Sequence, residues 1–118
     1  MTAKDDLGRR GELLAAEHLR GQGMTVLDTN WRCSQGELDL VARDAGCLVF
    51  VEVKTRSGTG YGHPLEAITP VKFARLRRLA SAWLEAHPAE RGETRIDAVA
   101  VIAARGAAPV VEHLRGVF

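Results

Sequence analysis

Cysteine is scarce in this chain. Cys33 and Cys47 are its only two, with no CxxC pair and no histidine at zinc-ligand spacing, so neither a disulfide framework nor a zinc site is supported. Cys33 reads as a small, half-buried residue. No apolar run approaches the ~20 residues that span a bilayer, and Met1–Glu12 is too charged for a signal peptide. No membrane contact and a reducing cytoplasm are therefore expected. Nor is charge of one sign in excess. A net charge of +1 excludes coating of nucleic acid by bulk electrostatics and leaves any such binding to local patches. Aromatics are few at 5%, yet 46% hydrophobic and 26% charged residues make the balance of a globular chain, so neither disorder nor fibre is indicated. Repeats and low-complexity segments are absent.

What is present fits one domain over 1–118, long enough to bury roughly two-thirds of its unfolded surface without a metal for stability. Asp5 or Asp6 can cap a helix running to about Gln22, stopped by Gly21 and Gly23. Its inward positions are Leu7, Gly11, Leu14, Ala15, His18 and Leu19, at helical spacing. Glu12 lies at the border of that stripe, where helix periodicity favours a solvated carboxylate. His18 reads as a packed histidine. Met24–Leu27 and Asn30–Cys33 form a short, irregular strand region. Residues 38–43 and 47–54, rich in Val, Leu and Phe, are strands joined by turn chemistry at Asp44-Ala45-Gly46.

Thr55–Thr69 carries Gly58, Gly60, Gly62 and Pro64 and reads as a mobile loop; the Gly58–Gly62 run lacks the third spacing of a dinucleotide fingerprint. Thr69 as N-cap and Pro70 at the first helical position open a second helix, with Phe73, Leu76, Leu79, Ala80, Trp83 and Leu84 inward. His87–Thr94 is a polar connection. Arg95–Ala103 is an apolar run expected of a strand covered on both faces, and Val110–Leu114 can add an edge strand. The fold class is thus α/β, in the order helix, three strands, helix, strand. The second helix serves as crossover between parallel strands 48–54 and 96–102 in a mixed central sheet.

The chemistry sits in the hairpin. With Asp44 opposite Cys47, counting back along the ladder sets Asp39 opposite Glu52 and Glu37 opposite Lys54, all on one face. Two carboxylates at about 4 Å repel by about 4 kcal/mol at an effective dielectric of about 20, so something positive must sit between them. Lys54 supplies part of that charge, and oxygen-only ligands at a strand edge are also what Mg²⁺ requires. The plainer reading pairs Glu37 with Lys54 on a wet sheet face and leaves Asp39 and Glu52 in solvent. Against it, Glu52 and Lys54 interrupt the most apolar strand of the chain. On the second helix, Lys72, Arg75 and Arg78 follow at i, i+3 and i+6 beside Arg77. A basic face is usually only solvated, but Arg56 and the glycine-rich loop precede it, and a surface tracking phosphates is the second reading.

Gly8-Arg9-Arg10-Gly11-Glu12 with Ala15, Ala16 and Leu19, then Asn30-Trp31-Arg32, Gly36-Glu37-Leu38-Asp39-Leu40, Val49 to Arg56, and Pro64-Leu65-Glu66-Ala67 with Lys72 resemble the bacterial YraN family over nearly the whole chain. That family is regarded as uncharacterised, with a restriction-endonuclease-like fold similar to archaeal Holliday junction resolvases. The resemblance implies a PD-(D/E)XK nuclease core whose signature falls on Asp39, Glu52 and Lys54, and the helix-borne acid of junction resolvases on Glu12. Leu38 stands where the signature's name has proline, which removes no chemical group. By this resemblance Asp39 and Glu52 bind Mg²⁺ (or Mn²⁺), Val53 lends its carbonyl, Glu12 holds a water or second ion, and Lys54 orients the attacking water. Arg56, Lys72, Arg75 and Arg78 position the DNA backbone. Glu37 has no role in the wider pattern and is assigned as a partner of Lys54 or Arg32.

The function so implied is metal-dependent endonucleolytic hydrolysis of DNA, with branched or junction DNA as substrate and a homodimer to match its two-fold symmetry. The rival is a binding module of the same fold that docks nucleic acid or a protein and does not cut. A purely structural protein would leave Glu12, Asp39, Glu52 and Lys54 scattered.

Overall fold

The computed structural model describes residues 3–58, 60 and 62–117. Helix α1 (Ala3–Gly21) is followed by strands β1 (Thr25–Cys33), β2 (Gly36–Asp44) and β3 (Cys47–Arg56), then by a 3₁₀ turn (Pro64–Ala67), helix α2 (Pro70–Ala86) and strands β4 (Glu93–Ile102) and β5 (Val110–Leu114). The five strands form one sheet in the order β1-β2-β3-β4-β5. β3 and β4 pair in parallel across the α2 crossover, while the other neighbours are antiparallel. The expected α/β order of helix, three strands, helix and strand holds, with β5 added at the edge.

Two cores lie on opposite faces of the sheet because alternate strand residues point opposite ways. On one face Ala15, Ala16 and Leu19 of α1 pack with Leu40, Ala42, Val49, Val51, Val53, Val99 and Val101. On the other, Leu76, Leu79, Ala80 and Trp83 of α2 pack with Leu38, Val41, Leu48 and Phe50. β3 is apolar on both faces, as a parallel strand covered twice must be. Thr69 caps α2, its hydroxyl accepting from the Lys72 amide at 3.3 Å, and Pro70 follows without an amide proton to waste. Asp5 and Asp6 sit in the first turn of α1, which begins by Ala3, so they complement the helix dipole from within.

Two local differences from the sequence reading matter. β1 is one continuous strand, with a register shift between Val26 and Asp28 and a left-handed Asn30 (φ 49°). The segment after β3 is partly ordered: His63 accepts from the Leu65 amide at 3.2 Å to start the 3₁₀ turn, and its Nε2 lies 2.9 Å from a Glu112 carboxylate on β5. Within the glycine-rich run, Thr59 and Tyr61 lie outside the described residues. No helix among the described residues is long and apolar enough to cross a membrane.

Candidate metal centre

The β2–β3 ladder runs from Asp44 opposite Cys47 to Leu40 opposite Val51 and stops there. Continued by one step, the same register sets Asp39 opposite Glu52, as read from the hairpin. Instead of a ladder bond, the Val53 amide donates to the Asp39 carboxylate at 2.8 Å. Asp39 therefore closes the gap where β2 leaves β3. The cause is a break in alternation: Leu38 packs under α2, yet Leu40, two residues on, packs under α1. Residues 39 and 40 both turn towards α1. Across the strand, Thr29 opposes Leu40 and Trp31 opposes Leu38, with the left-handed Asn30 between them at the level of Asp39.

Helix α1 brings Glu12 to this point by a close approach. Gly11 is buried, and a Cβ built on it would lie 1.8 Å from the Thr55 hydroxyl oxygen and 2.8 Å from the Thr55 Cβ. Only glycine lets the helix rest on β3 there, directly after Lys54. Glu12 thus meets the end of β2: the Asn30 side-chain amide donates to Glu12 at 2.6 Å and to Glu37 at 2.9 Å. One carboxylate oxygen from each of Glu12, Glu37 and Asp39 lies within 4.8 Å of the others.

The face-sharing expected along the hairpin is divided in two by the break at Asp39. Glu37 lies with Glu12 on the α1 side and pairs with Arg32 at 3.2 Å. Glu52 and Lys54 lie on the α2 side, 3.4 Å apart, in a narrow cleft with Lys72 and Arg75. Asp39 belongs to both groups. Burial lifts its pKa to about 8, with the negative charges of Glu52, Glu12 and Glu37 adding to the lift and the Val53 amide opposing it. Three carboxylates, those of Glu52, Glu12 and Glu37, therefore converge on Asp39, and the Lys54 ammonium joins them through Glu52.

Of the four residues expected to track phosphates, Lys72 and Arg75 line the cleft with Lys54, and Arg78 is exposed further along α2. Arg56 folds back so that its guanidinium donates to the Thr55 carbonyl at 3.0 Å. Sequence reasoning left Asn30 and Arg9 without a role. Asn30 bridges two of the acids, and Arg9 lines the groove of about 530 Å³ into which Glu12, Asn30 and Glu37 face. The signal for both was their place in motifs the sequence displays, Gly8-Arg9-Arg10-Gly11-Glu12 and Asn30-Trp31-Arg32.

Fold and site together define a small mixed-sheet α/β protein with an acid-lined cleft where one antiparallel strand peels away from a parallel pair. The profile of the family described as "Uncharacterised protein family UPF0102" matches residues 11–101, and the chain belongs to that family, the one its motifs resemble under the name YraN. It is 58% identical over 115 residues to a UPF0102 protein of Clavibacter michiganensis, covering 98% of each chain. Against a UPF0102 protein of Beutenbergia cavernae it is 58% identical over 117 residues, 99% of each. A UPF0102 protein of Streptomyces coelicolor is 55% identical over 119 residues, 99% of this chain and 92% of the relative.

Proposed function

We propose that this protein is a metal-dependent endonuclease that hydrolyses phosphodiester bonds in DNA. The observation that carries the reading is the gathering of Glu12, Glu37 and Asp39 carboxylates within 4.8 Å of one another, around an Asp39 whose burial, reinforced by the charges of Glu52, Glu12 and Glu37, favours its neutral form unless a cation offsets them. The donors are oxygen only and suit a hard divalent ion such as Mg²⁺ or Mn²⁺: one carboxylate oxygen from each of Glu12, Glu37 and Asp39 lies within 4.8 Å of the others, while Glu52 approaches Asp39 from the α2 side. Bound there, the ion would supply Lewis-acid activation of water and offset charge on the phosphorane-like transition state.

The chain's own residues then divide the remaining work. Asp39 and Glu52 are assigned as direct ligands, with Glu12 and the Val53 carbonyl completing the set. Asn30 holds Glu12 and Glu37 together from its side-chain amide. Lys54, drawn 3.4 Å from Glu52, keeps an ammonium beside the acids, where it can orient the attacking water and offset developing negative charge. Lys72 and Arg75, which share the cleft with Lys54, are assigned to phosphates of the DNA backbone, with Arg56 and Arg78 flanking them. The restriction-endonuclease-like resemblance supports this division, since an acid on one strand and acid-x-lysine on the next are its signature. A homodimer would suit a four-way junction, whose cleavage points are related by a two-fold axis.

The test is incubation with branched, flapped and linear DNA in Mg²⁺ or Mn²⁺, beside Asp39→Asn and Lys54→Ala. Cleavage by wild type and loss in both variants is expected. No cleavage, or equal cleavage by the variants, refutes the nuclease; DNA binding retained without cutting would leave a non-catalytic module of the same fold.

A further inference from the structure

Past Glu12 and Asn30 the acidic groove continues into a second hollow, of about 370 Å³, between α1 and β1. Its chemistry changes along the way. Arg9, Leu13, Ala16 and Arg20 line it from α1 at i, i+4, i+7 and i+11, one face of the helix beside the core stripe. The middle of this face is apolar: Leu13 is 69% exposed, while Ala16 and Leu40 of β2, both core residues, close the hollow beneath it. Arg9 and Arg20 stand at its two ends, about 16 Å apart along the helix axis. Neither forms an ion pair among the described residues.

An apolar patch beside the proposed metal centre offers nothing to continuous duplex, whose outer surface there is sugar and phosphate and whose base faces are hidden in the stack. An unpaired base exposes such a face. We infer that this hollow takes an unpaired nucleotide of the DNA strand being cut, its base resting on Leu13 and phosphates of the strand to either side on Arg9 and Arg20. The substrate class is then DNA with a single-stranded segment next to the scissile bond, such as a flap or splayed end, and blunt duplex is disfavoured. This inference rests on the nuclease reading for the direction of the strand through Glu12 and Asn30, while binding itself needs no cleavage.

The test is fluorescence anisotropy in EDTA with a single strand, a flapped duplex and a blunt duplex of one sequence, and an RNA strand of that sequence. Wild type is compared with Leu13→Glu and Arg20→Ala, both exposed positions, with folding checked by circular dichroism. Single-stranded and flapped DNA are expected to bind about tenfold more tightly than blunt duplex, a preference that either substitution removes without weakening duplex binding. Equal binding of all forms, or a preference that survives both substitutions, overturns the proposal; preference for RNA over DNA overturns the assignment to DNA. Cleavage in Mn²⁺ is scored separately. Preference without cleavage refutes the nuclease and leaves the hollow standing, whereas cleavage without preference does the reverse.

Discussion

Replacing Asp39 by Asn should make the metal-free protein more stable at neutral pH. The folded-state pKa of about 8 stands above the ordinary 3.8, so between those values the native state binds more protons than the unfolded chain. For a raised acid the sign is that stability falls as pH rises through this window. At about 1.4 kcal/mol per pH unit the ceiling at pH 7 is on the order of 4 kcal/mol, and on the order of 2 kcal/mol if the neighbouring carboxylates share the proton. Asn keeps an oxygen that can accept from the Val53 amide and carries no charge, so the variant escapes this loss. The expected gain in Tm at pH 7.5 is about 10 °C for a domain of this size, shrinking to nothing below pH 4.

Differential scanning fluorimetry from pH 4 to 8, with wild type and Asp39→Asn side by side, isolates this residue from other titrating groups. Adding Mn²⁺ should raise the wild-type Tm, since a ligand at about 100 times its dissociation constant contributes about 2.7 kcal/mol, and should leave the variant unmoved. A variant that is less stable than wild type at pH 7.5, or a difference that does not change with pH, refutes the crowding argument. A manganese response equal in both proteins refutes the assignment of the ligand.

Gly11→Ala should lower stability by about 1–3 kcal/mol, because the new methyl meets Thr55 and α1 must lift from β3; urea denaturation with Thr55→Ala alone and combined should reveal coupling between the two sites. Asp97 is fully buried, receiving two hydrogen bonds from Arg95 at 2.8 and 3.1 Å and one from the Gly116 amide at 2.9 Å, with His113 Nε2 at 2.7 Å. Burial alone would raise its pKa, but these partners outweigh burial and hold it below the ordinary range. Its stabilisation is therefore complete above the ordinary carboxylate pKa and fades as pH falls through the lowered value. Asp97→Ala should cost about 3–5 kcal/mol at pH 6 by leaving the Gly116 amide, His113 and the inner edge of Arg95 unpaired, Arg95 keeping only Asp44, and urea midpoints should converge with wild type in strong acid. Asn30→Gly keeps the left-handed backbone and removes the bridge between Glu12 and Glu37, so Mn²⁺ affinity measured by calorimetry should fall about tenfold or more with little change in Tm.

The hairpin was legible because its signals are local. Two apolar runs around Asp44-Ala45-Gly46 admit one register, and Asp44 does oppose Cys47. The α2 cap and the inward stripe from Phe73 to Trp83 were legible for the same reason, being set by spacing along one segment. Glu12 was not legible from periodicity, which favoured solvent; only the family resemblance moved it into the site. What periodicity missed was the break at Asp39. Nothing in the alternation of Gly36-Glu37-Leu38-Asp39-Leu40 announces that residues 39 and 40 turn the same way, because the cause lies across the sheet, at a left-handed Asn30. The assumed register set Glu37 opposite Lys54 and left Lys54 and Arg32 both open as its partner; it pairs with Arg32. The second face of α1, from Arg9 to Arg20, went unread because a helix is ordinarily read for its core stripe alone.

The break at Asp39 is where local and global preferences disagree, and the disagreement is informative. A further ladder step could satisfy the Val53 amide from backbone alone and leave no charge to bury. The chain uses a carboxylate instead, beside three others, in a sheet whose buried positions are apolar apart from Asp97. Such a choice lowers the stability of the isolated fold, and two apolar cores together with the Asp97 network offset it. Sequences that break a local rule without structural gain do so at functional positions. If the acids served only the fold, replacing them with amides would be neutral or harmful to stability. A metal-free gain from Asp39→Asn would instead mark the site as one kept for binding at the expense of folding.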